Sequence, residues 1–363
     1  MPSTLGSLRR LVLAPSLAAV SFAGRGFPAV PSAATERLEA VPHAVICGFE
    51  WGIEARGLWE LERRLRLVEP SVCGFAYEGA IMALTVRDVM GPRRGHRTRD
   101  LLLGSGQPHL FLAYIGIGFA MARLPRALWK KVLPDLSGSP YHPTMSWLAV
   151  DGYGFDRAYF QTRRWVDEQR PLPVYPWQGC RDYFPRAVDQ GIGRALWFIH
   201  GARVPDVATA VAKFAGPRHA DLWSGVALAA AFAGGCGRDG LTELRAAAGE
   251  HWAEAALGVV FAVKARAYAD FVPPHTELAA AVLAGLSVEA AVALADRTAV
   301  DPRGDLAGDS GGDSGGGSDG DPGVPGGAEE VPPYELWRHA IRSSFASSTA
   351  TVHPEADAPG AQA

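Results

Sequence analysis

Several residue types that commonly carry function are scarce or missing in this chain of 363 residues. Asparagine is absent, and arginine supplies nearly all the positive charge. The net charge of −3 excludes a global field that would draw the chain to nucleic acid or to an anionic membrane. We therefore expect neither a nucleic-acid partner nor a membrane partner. The few lysines are Lys130, Lys131, Lys213 and Lys264.

Cysteine is also rare, with four residues at positions 47, 73, 180 and 236. None belongs to a CxxC pair or has a histidine at the spacing of a metal site. The sequence therefore predicts buried free thiols and no bound metal. It identifies no cofactor.

Long apolar runs are missing as well. The stretch 11–24 follows "SLRR" as in a secretory signal, but Pro15 interrupts it. The richest internal run, at 223–235, is short and consists of small residues, unlike a membrane helix. We expect a soluble, cytoplasmic protein.

No catalytic motif occurs at the spacing its chemistry needs. The string "GDSGG" at 308–312 matches the nucleophile region of trypsin-like proteases, but it lies in a low-complexity tract. The G-x-G pairs at 116/118, 152/154 and 191/193 lack the third glycine of a dinucleotide-binding loop and follow no predicted strand.

What the sequence does contain is a recurring glycine. Similar segments align on six glycines that lie 32 to 39 residues apart, the period of helical repeats. A glycine inside a helix costs about 0.5–1 kcal/mol relative to alanine, so a compensating contact is expected. We predict that each glycine marks where one helix packs closely against its neighbours. The six are Gly79, Gly118, Gly154, Gly193, Gly225 and Gly258.

The fold class predicted from this pattern is all-α, built from tandem αα-hairpin repeats. Second helices are expected between the glycine segments, as in "ALWKKVLPDL" and "VPDVATAVAKF". The array is either an open TPR-like solenoid or a closed α/α toroid. The only strand-like pattern is "HAVICGF" at 43–49, and an early helix is expected to end at Pro70.

The expected organisation has a helical-repeat domain at 35–300 after an N-terminal segment at 1–34. Residues 301–333 include a Gly/Ser/Asp tract that cannot bury apolar surface, so a disordered linker is predicted. A C-terminal helix at 334–346 should pack on the body, followed by a disordered tail at 347–363.

Three carboxylates close to the glycines are the candidate catalytic residues: Glu78, Asp151 and Asp189. Their spacing places them near the packed helix interfaces, where a carboxylate is either paired or has a raised pKa. They could act as general acid or base, or form ion pairs with nearby arginines. The arginines are Arg157, Arg163 and Arg194. Glu254 has a similar position, and His142 and His200 are expected in core or loop roles.

Several long strings resemble an actinobacterial family of unknown function that is associated with enediyne polyketide biosynthesis clusters. They are "RLEAVPHAVICGFEWGIEA", "LRLVEPSVCGFAYEGAIMAL", "DGYGFDRAYF" and "GIGRALWFIHGA". The resemblance implies an intracellular accessory protein of enediyne formation and brings no catalytic residues with it. Its partners would be a polyene intermediate or the polyketide biosynthetic enzymes.

Three functions remain open at this point. The chain is expected to bind the polyene or a partner enzyme in a helical-repeat groove. Alternatively, it is an enzyme that uses a buried carboxylate as general acid or base, or it is a generic protein-protein scaffold. The substrate and the oligomeric state are not identified by the sequence.

Overall fold

The computed structural model describes residues 16–28, 32–91, 95–171, 174–300 and 331–349. Regular structure in these ranges is helical, and the only β interaction there is an isolated bridge between Trp177 and Cys180. The predicted all-α class is therefore confirmed. The α-helices are α1 Leu17–Val20, α2 Phe22–Arg25, α3 Ala33–Glu54, α4 Leu58–Leu65, α5 Pro70–Met90, α6 Arg97–Leu102, α7 Leu110–Arg123, α8 Trp147–Phe160, α9 Phe184–Ile199, α10 Val204–Ala212, α11 His219–Ala233, α12 Arg238–Ala248, α13 Trp252–Tyr268, α14 Pro274–Ala279, α15 Val288–Arg297 and α16 Pro333–Thr349.

Seven of the long helices form a row in chain order: α3, α5, α7, α8, α9, α11 and α13. Each one packs against the next. Short helices and irregular segments connect them and lie beside the row. The hydrophobic core is one continuous cluster that runs through all seven helices.

Glycines make the closest contacts in this row. A Cβ built on Gly116 would lie 2.2 Å from the carbonyl oxygen of Glu78, and one on Gly191 would lie 1.9 Å from that of Asp151. Real Cβ atoms do not approach backbone so closely, so only glycine allows these helices to touch. The predicted role of the glycines is confirmed. The same kind of contact occurs at Gly79, Gly118, Gly154, Gly193, Gly225 and Gly258.

In each G-x-G pair the two glycines face different neighbours. Gly152 contacts the carbonyl of Ile115 in the preceding helix, whereas Gly154 contacts that of Val188 in the following one. The structurally equivalent residues are therefore the first glycines, 116, 152 and 191, together with 79, 225 and 258. The sequence alignment used the second glycine of each pair, so its register was two residues off there. Residue numbers rise together from one helix to the next: Gly48 of α3 lies against Ala76 of α5, and Gly52 lies against Ala80. These neighbouring helices of the row therefore run parallel.

Three local predictions were wrong. Residues 43–49 lie inside helix α3, because Gly48 packs on the carbonyl of Ala76 and this tertiary contact outweighs local strand preference. Pro70 begins α5 instead of ending α4, because a proline at the first helical position needs no amide hydrogen. The segment "ALWKKVLPDL" contains only a 3-10 helix, Arg126–Lys131.

Helices near the two ends of the row are in contact. The Arg266 guanidinium of α13 donates to the carbonyl of Ser71 at 3.0 Å, at the start of α5. The rings of Phe75 in α5 and Phe232 in α11 meet edge to face at 5.4 Å. These contacts favour the closed arrangement of the two that the sequence left open.

Both terminal parts of the described chain pack on this body. The Tyr159 hydroxyl donates to the carbonyl of Val20 at 2.7 Å, which fixes α1 against α8. At the other end, the buried Arg338 of α16 donates to Asp221 and Glu335, each at 3.1 Å. The predicted linker and tail lie mostly outside the described residues, at 301–330 and 350–363.

Within the described ranges, no single helix has the length and apolarity to cross a membrane. The segments Pro274–Ala284 and Val288–Arg297 reach the required length only together, and they are bent by 69° relative to each other. The four cysteines are half-buried, so the predicted full burial of their thiols is not observed.

Replacing Gly154 with alanine should destabilise the protein, although alanine is the better helix former. The added Cβ would lie 2.3 Å from the carbonyl oxygen of Val188, and two backbones would have to move apart. We expect the free energy of unfolding to fall by about 2–3 kcal/mol in urea denaturation. Gly216→Ala is the control, because its Cβ would meet nothing within 4 Å, and it should change the free energy by less than about 0.5 kcal/mol. Equal effects of the two substitutions would contradict the close-contact account.

Candidate functional site

The glycine contacts determine which side chains face the interior. In each helix of the row from α5 onward, one glycine touches the preceding helix, as Gly79 and Gly152 do. Consecutive helical residues are about 100° apart around the axis, so the residue before each of these glycines points away from the contact with the preceding helix. All five such residues from α5 to α11 are buried, and four of them are polar. They are Glu78, Ile115, Asp151, Gln190 and Ser224. The fold therefore directs a series of buried polar groups inward.

Glu78 lines a narrow interior cavity between α3, α5, α7, α8 and α9. The space between atoms there is about 670 Å³, part of it open to solvent. The wall is largely apolar and includes the rings of Phe75, Phe119, Phe155, Tyr159 and Phe198. We call this space the Glu78 cavity. Its half-buried and exposed wall residues mark the mouth; they are Pro42, Val45, Arg123, Phe155 and Phe160.

The Glu78 carboxyl group is buried and has no hydrogen-bond or ion-pair partner among the described residues, with 3% of the residue exposed. Burial raises the pKa of this group from 4.5 to about 8. The Arg194 guanidinium opposes the rise and the Asp151 carboxylate adds to it. Glu78 is therefore largely a neutral acid at pH 7, with a small ionised fraction.

Asp151 lies close to Glu78 but is paired. Its Oδ1 accepts a hydrogen bond of 2.7 Å from Nε of Arg194, and both residues are buried. Burial raises the pKa of Asp151, although Arg194 opposes the rise. One guanidinium nitrogen of Arg194, Nη2, is buried without a partner in the described structure. Arg194 thus holds Asp151 and keeps a donor available beside the cavity.

Asp189 is separate from this pair. Its two carboxylate oxygens accept hydrogen bonds of 2.6 and 2.9 Å from Arg218, which is the geometry of a structural ion pair. Glu254 lies 3.9 Å from Arg342. Of the sequence-predicted carboxylates, the structure brings together Glu78 and Asp151 and leaves only Glu78 without a partner.

The other predicted partners have different roles. Arg157 lies over the ring of Tyr153, and Arg163 forms an ion pair with Glu168. His142 accepts or donates a hydrogen bond of 2.7 Å at the Tyr114 hydroxyl, in line with the expected core or loop role.

Sequence reasoning did not find the second interior cavity. It lies between α5, α7, α8, α9, α11 and α13, and the space between atoms there is about 550 Å³, part of it open to solvent. Phe75, Arg194 and Phe198 line both cavities, so these three side chains form the partition between them. One sequence signal could have indicated an interior role for Arg194. It directly follows the 191/193 glycine pair, and that spacing places its side chain on the interior side of the helix.

The arrangement suits proton transfer inside an apolar site. A carboxyl group with a pKa near neutrality both donates and accepts protons efficiently, and the Arg194 donor would stabilise negative charge that develops nearby. In the described residues no three histidine, cysteine, aspartate or glutamate side chains form a group that could hold a metal ion.

The raised pKa of Glu78 predicts how Glu78→Gln changes stability with pH. The native state keeps a proton that the unfolded chain loses above pH 4.5, so the wild type loses stability as pH rises towards 8. Glutamine cannot ionise and avoids that loss. The melting temperature of the variant relative to the wild type should therefore rise by at least ~2 °C between pH 5 and 8. The exposed Glu243→Gln serves as control, and parallel curves for the wild type and Glu78→Gln would contradict the prediction.

Comparison with known proteins identifies one relationship. A family model described as "Protein of unknown function (DUF1702)" matches residues 4–309, which include every described helix except α16. No curated protein and no solved structure matches the chain. Because the family model covers well over half of the sequence, this protein belongs to the DUF1702 family.

Proposed function

We propose that this protein acts in enediyne polyketide biosynthesis, where its interior binds the conjugated polyene chain and Glu78 transfers a proton to or from it. The observation that carries the proposal is the unpaired Glu78 carboxyl group in an apolar cavity. The other buried carboxylates among the described residues have arginine partners, as Asp151 and Asp189 do. A buried carboxyl group that is left unpaired is typical of a functional site.

The cavity wall fits an apolar, conjugated ligand. Aromatic rings contribute much of its surface, and flat chains pack well on ring faces and edges. The narrow shape suits a thin chain better than a bulky one. The resemblance to the enediyne-associated family supplies the chemical identity of that chain in this proposal.

Glu78 and Arg194 together support one reaction class. In its ionised form Glu78 removes a proton from a carbon next to a conjugated carbonyl, and Arg194 stabilises the resulting oxyanion. The protonated Glu78 then returns the proton to a different carbon of the chain. The double bonds shift, and the process needs no oxidant or reductant.

Binding is tested with a fluorescent conjugated tetraene fatty acid, cis-parinaric acid. The wild type should bind it with a rise in fluorescence, because the chain leaves water for the aromatic-lined cavity. Val45→Trp places a bulky ring at the mouth and should weaken binding by about tenfold or more. Leu67→Trp, at a surface site that is 87% exposed, is the control and should bind like the wild type. Equal binding by both variants would place the chain elsewhere.

The catalytic role is tested by complementing a gene deletion. Glu78→Gln keeps the size and burial of the side chain but cannot transfer a proton, so it should bind the tetraene and fail to restore the enediyne product. Glu243→Gln, on the surface, should restore it. Full product with folded Glu78→Gln would leave a binding role and exclude the acid-base role.

A further inference from the structure

A second, wider opening lies beside the mouth of the Glu78 cavity. It is open to solvent, contains about 1470 Å³ of space, and lies between the α2 region, the end of α8 and the segment 161–170. Phe160 lines both this cleft and the Glu78 cavity, so its half-buried ring separates them. We call this opening the arginine cleft, after Arg25, Arg163, Arg164 and Arg170 in its wall.

The charge of the cleft is strongly positive. Among the described residues of its wall, Glu168 is the one carboxylate, and it pairs with both Arg163 and Arg170. In the described structure the Arg164 side chain has no hydrogen-bond or ion-pair partner. Arg163 and Arg164 are both exposed, so a ligand can reach the Arg164 guanidinium and the two Arg163 nitrogens, Nη1 and Nη2, that do not bind Glu168.

Buried polar atoms in the cleft wall also lack partners. Nε2 of His200 and Nε of Arg25 are buried with no hydrogen bond among the described residues. Arg25 is nevertheless held in place, since it donates to the Tyr159 carbonyl and lies over the Phe160 ring at 5.6 Å. Around His200 the charges are mixed, because Asp206 and Asp167 act on it together with Lys213 and Arg203. The positive end of the cleft is therefore the arginine end.

We propose that the arginine cleft binds the phosphate of a phosphopantetheine arm whose thioester-linked chain enters the Glu78 cavity past Phe160. Several arginines around an open space fit a phosphate, because guanidinium groups bind its oxygens in pairs. A carboxylate at the end of the chain would need only one arginine, and the cavity already offers Arg194. The inference rests on the proposed function and specifies how its substrate is carried.

Two carriers share this chemistry, coenzyme A and the prosthetic group of a carrier protein. Both present a phosphate on a flexible arm with a thioester at its end. Coenzyme A adds an adenosine diphosphate portion that the carrier-protein arm lacks. The cleft is wide enough to take either carrier.

The test compares three fluorescent probes on the full chain: cis-parinaric acid, its phosphopantetheine thioester and its coenzyme A thioester. The wild type should bind at least one thioester about tenfold more tightly than the free acid at low salt, with the difference shrinking as salt rises. The double variant Arg163→Glu/Arg164→Glu should lose this difference and bind the free acid unchanged. The control Arg181→Glu/Arg238→Glu, at exposed positions outside the cleft, should keep it.

The outcomes separate the two claims. If the free acid binds and neither thioester binds more tightly, the arginine cleft inference fails and the proposed function stands. If no probe binds, both fail. Equal affinity for the two thioesters would mean that the adenosine diphosphate portion adds nothing, and would identify the carrier-protein arm as the natural carrier. Tighter binding of the coenzyme A thioester would identify coenzyme A. An equal loss in the cleft variant and in the control would also overturn the inference.

Discussion

Contact between a glycine in one helix and a backbone carbonyl in the next is the constraint on which the rest of this structure depends. It brings α5 against both α3 and α7 at Gly79 and Gly116, on either side of the Glu78 backbone. A helix clamped in this way cannot rotate without driving backbone atoms together. The direction of the Glu78 side chain is therefore set by packing and not by any partner of its own.

The buried carboxyl groups of the described interior fall into two kinds: those that pair with an arginine, and Glu78, which does not. Asp151, Asp156 and Asp189 each lie against an arginine, which offsets the cost of removing their charge from water. Glu78 avoids that cost by remaining largely protonated. A protonated acid in an apolar cavity contributes little to stability in that form, which is why we propose a chemical role for Glu78.

Much of the architecture could be predicted from the sequence because glycine spacing is a local signal. The recurring glycines gave the helical class and the close contacts. They did not give the register of the G-x-G pairs, since both glycines of a pair look alike until their neighbours are known. The helix around residues 43–49 was missed for a related reason: its stability comes from Gly48 packing on Ala76, a contact that local propensity does not report.

The site was harder to predict because ion pairing in this fold joins distant positions. Asp151 pairs with Arg194, 43 residues away in sequence, and Asp189 pairs with Arg218, 29 residues away. Arginines closer in sequence, Arg157 and Arg163, serve other contacts. The sequence named Glu78, Asp151 and Asp189 as equivalent candidates, and only the three-dimensional arrangement distinguishes the unpaired one.

The protonation state of Glu78 is the central claim, and infrared difference spectroscopy between the wild type and Glu78→Gln measures it directly. At pH 6 the difference spectrum should contain the C=O stretch of a protonated carboxylic acid in an apolar setting. That band should disappear as the pH passes through about 8. A carboxylate signal already present at pH 6, with no protonated band, would contradict the account.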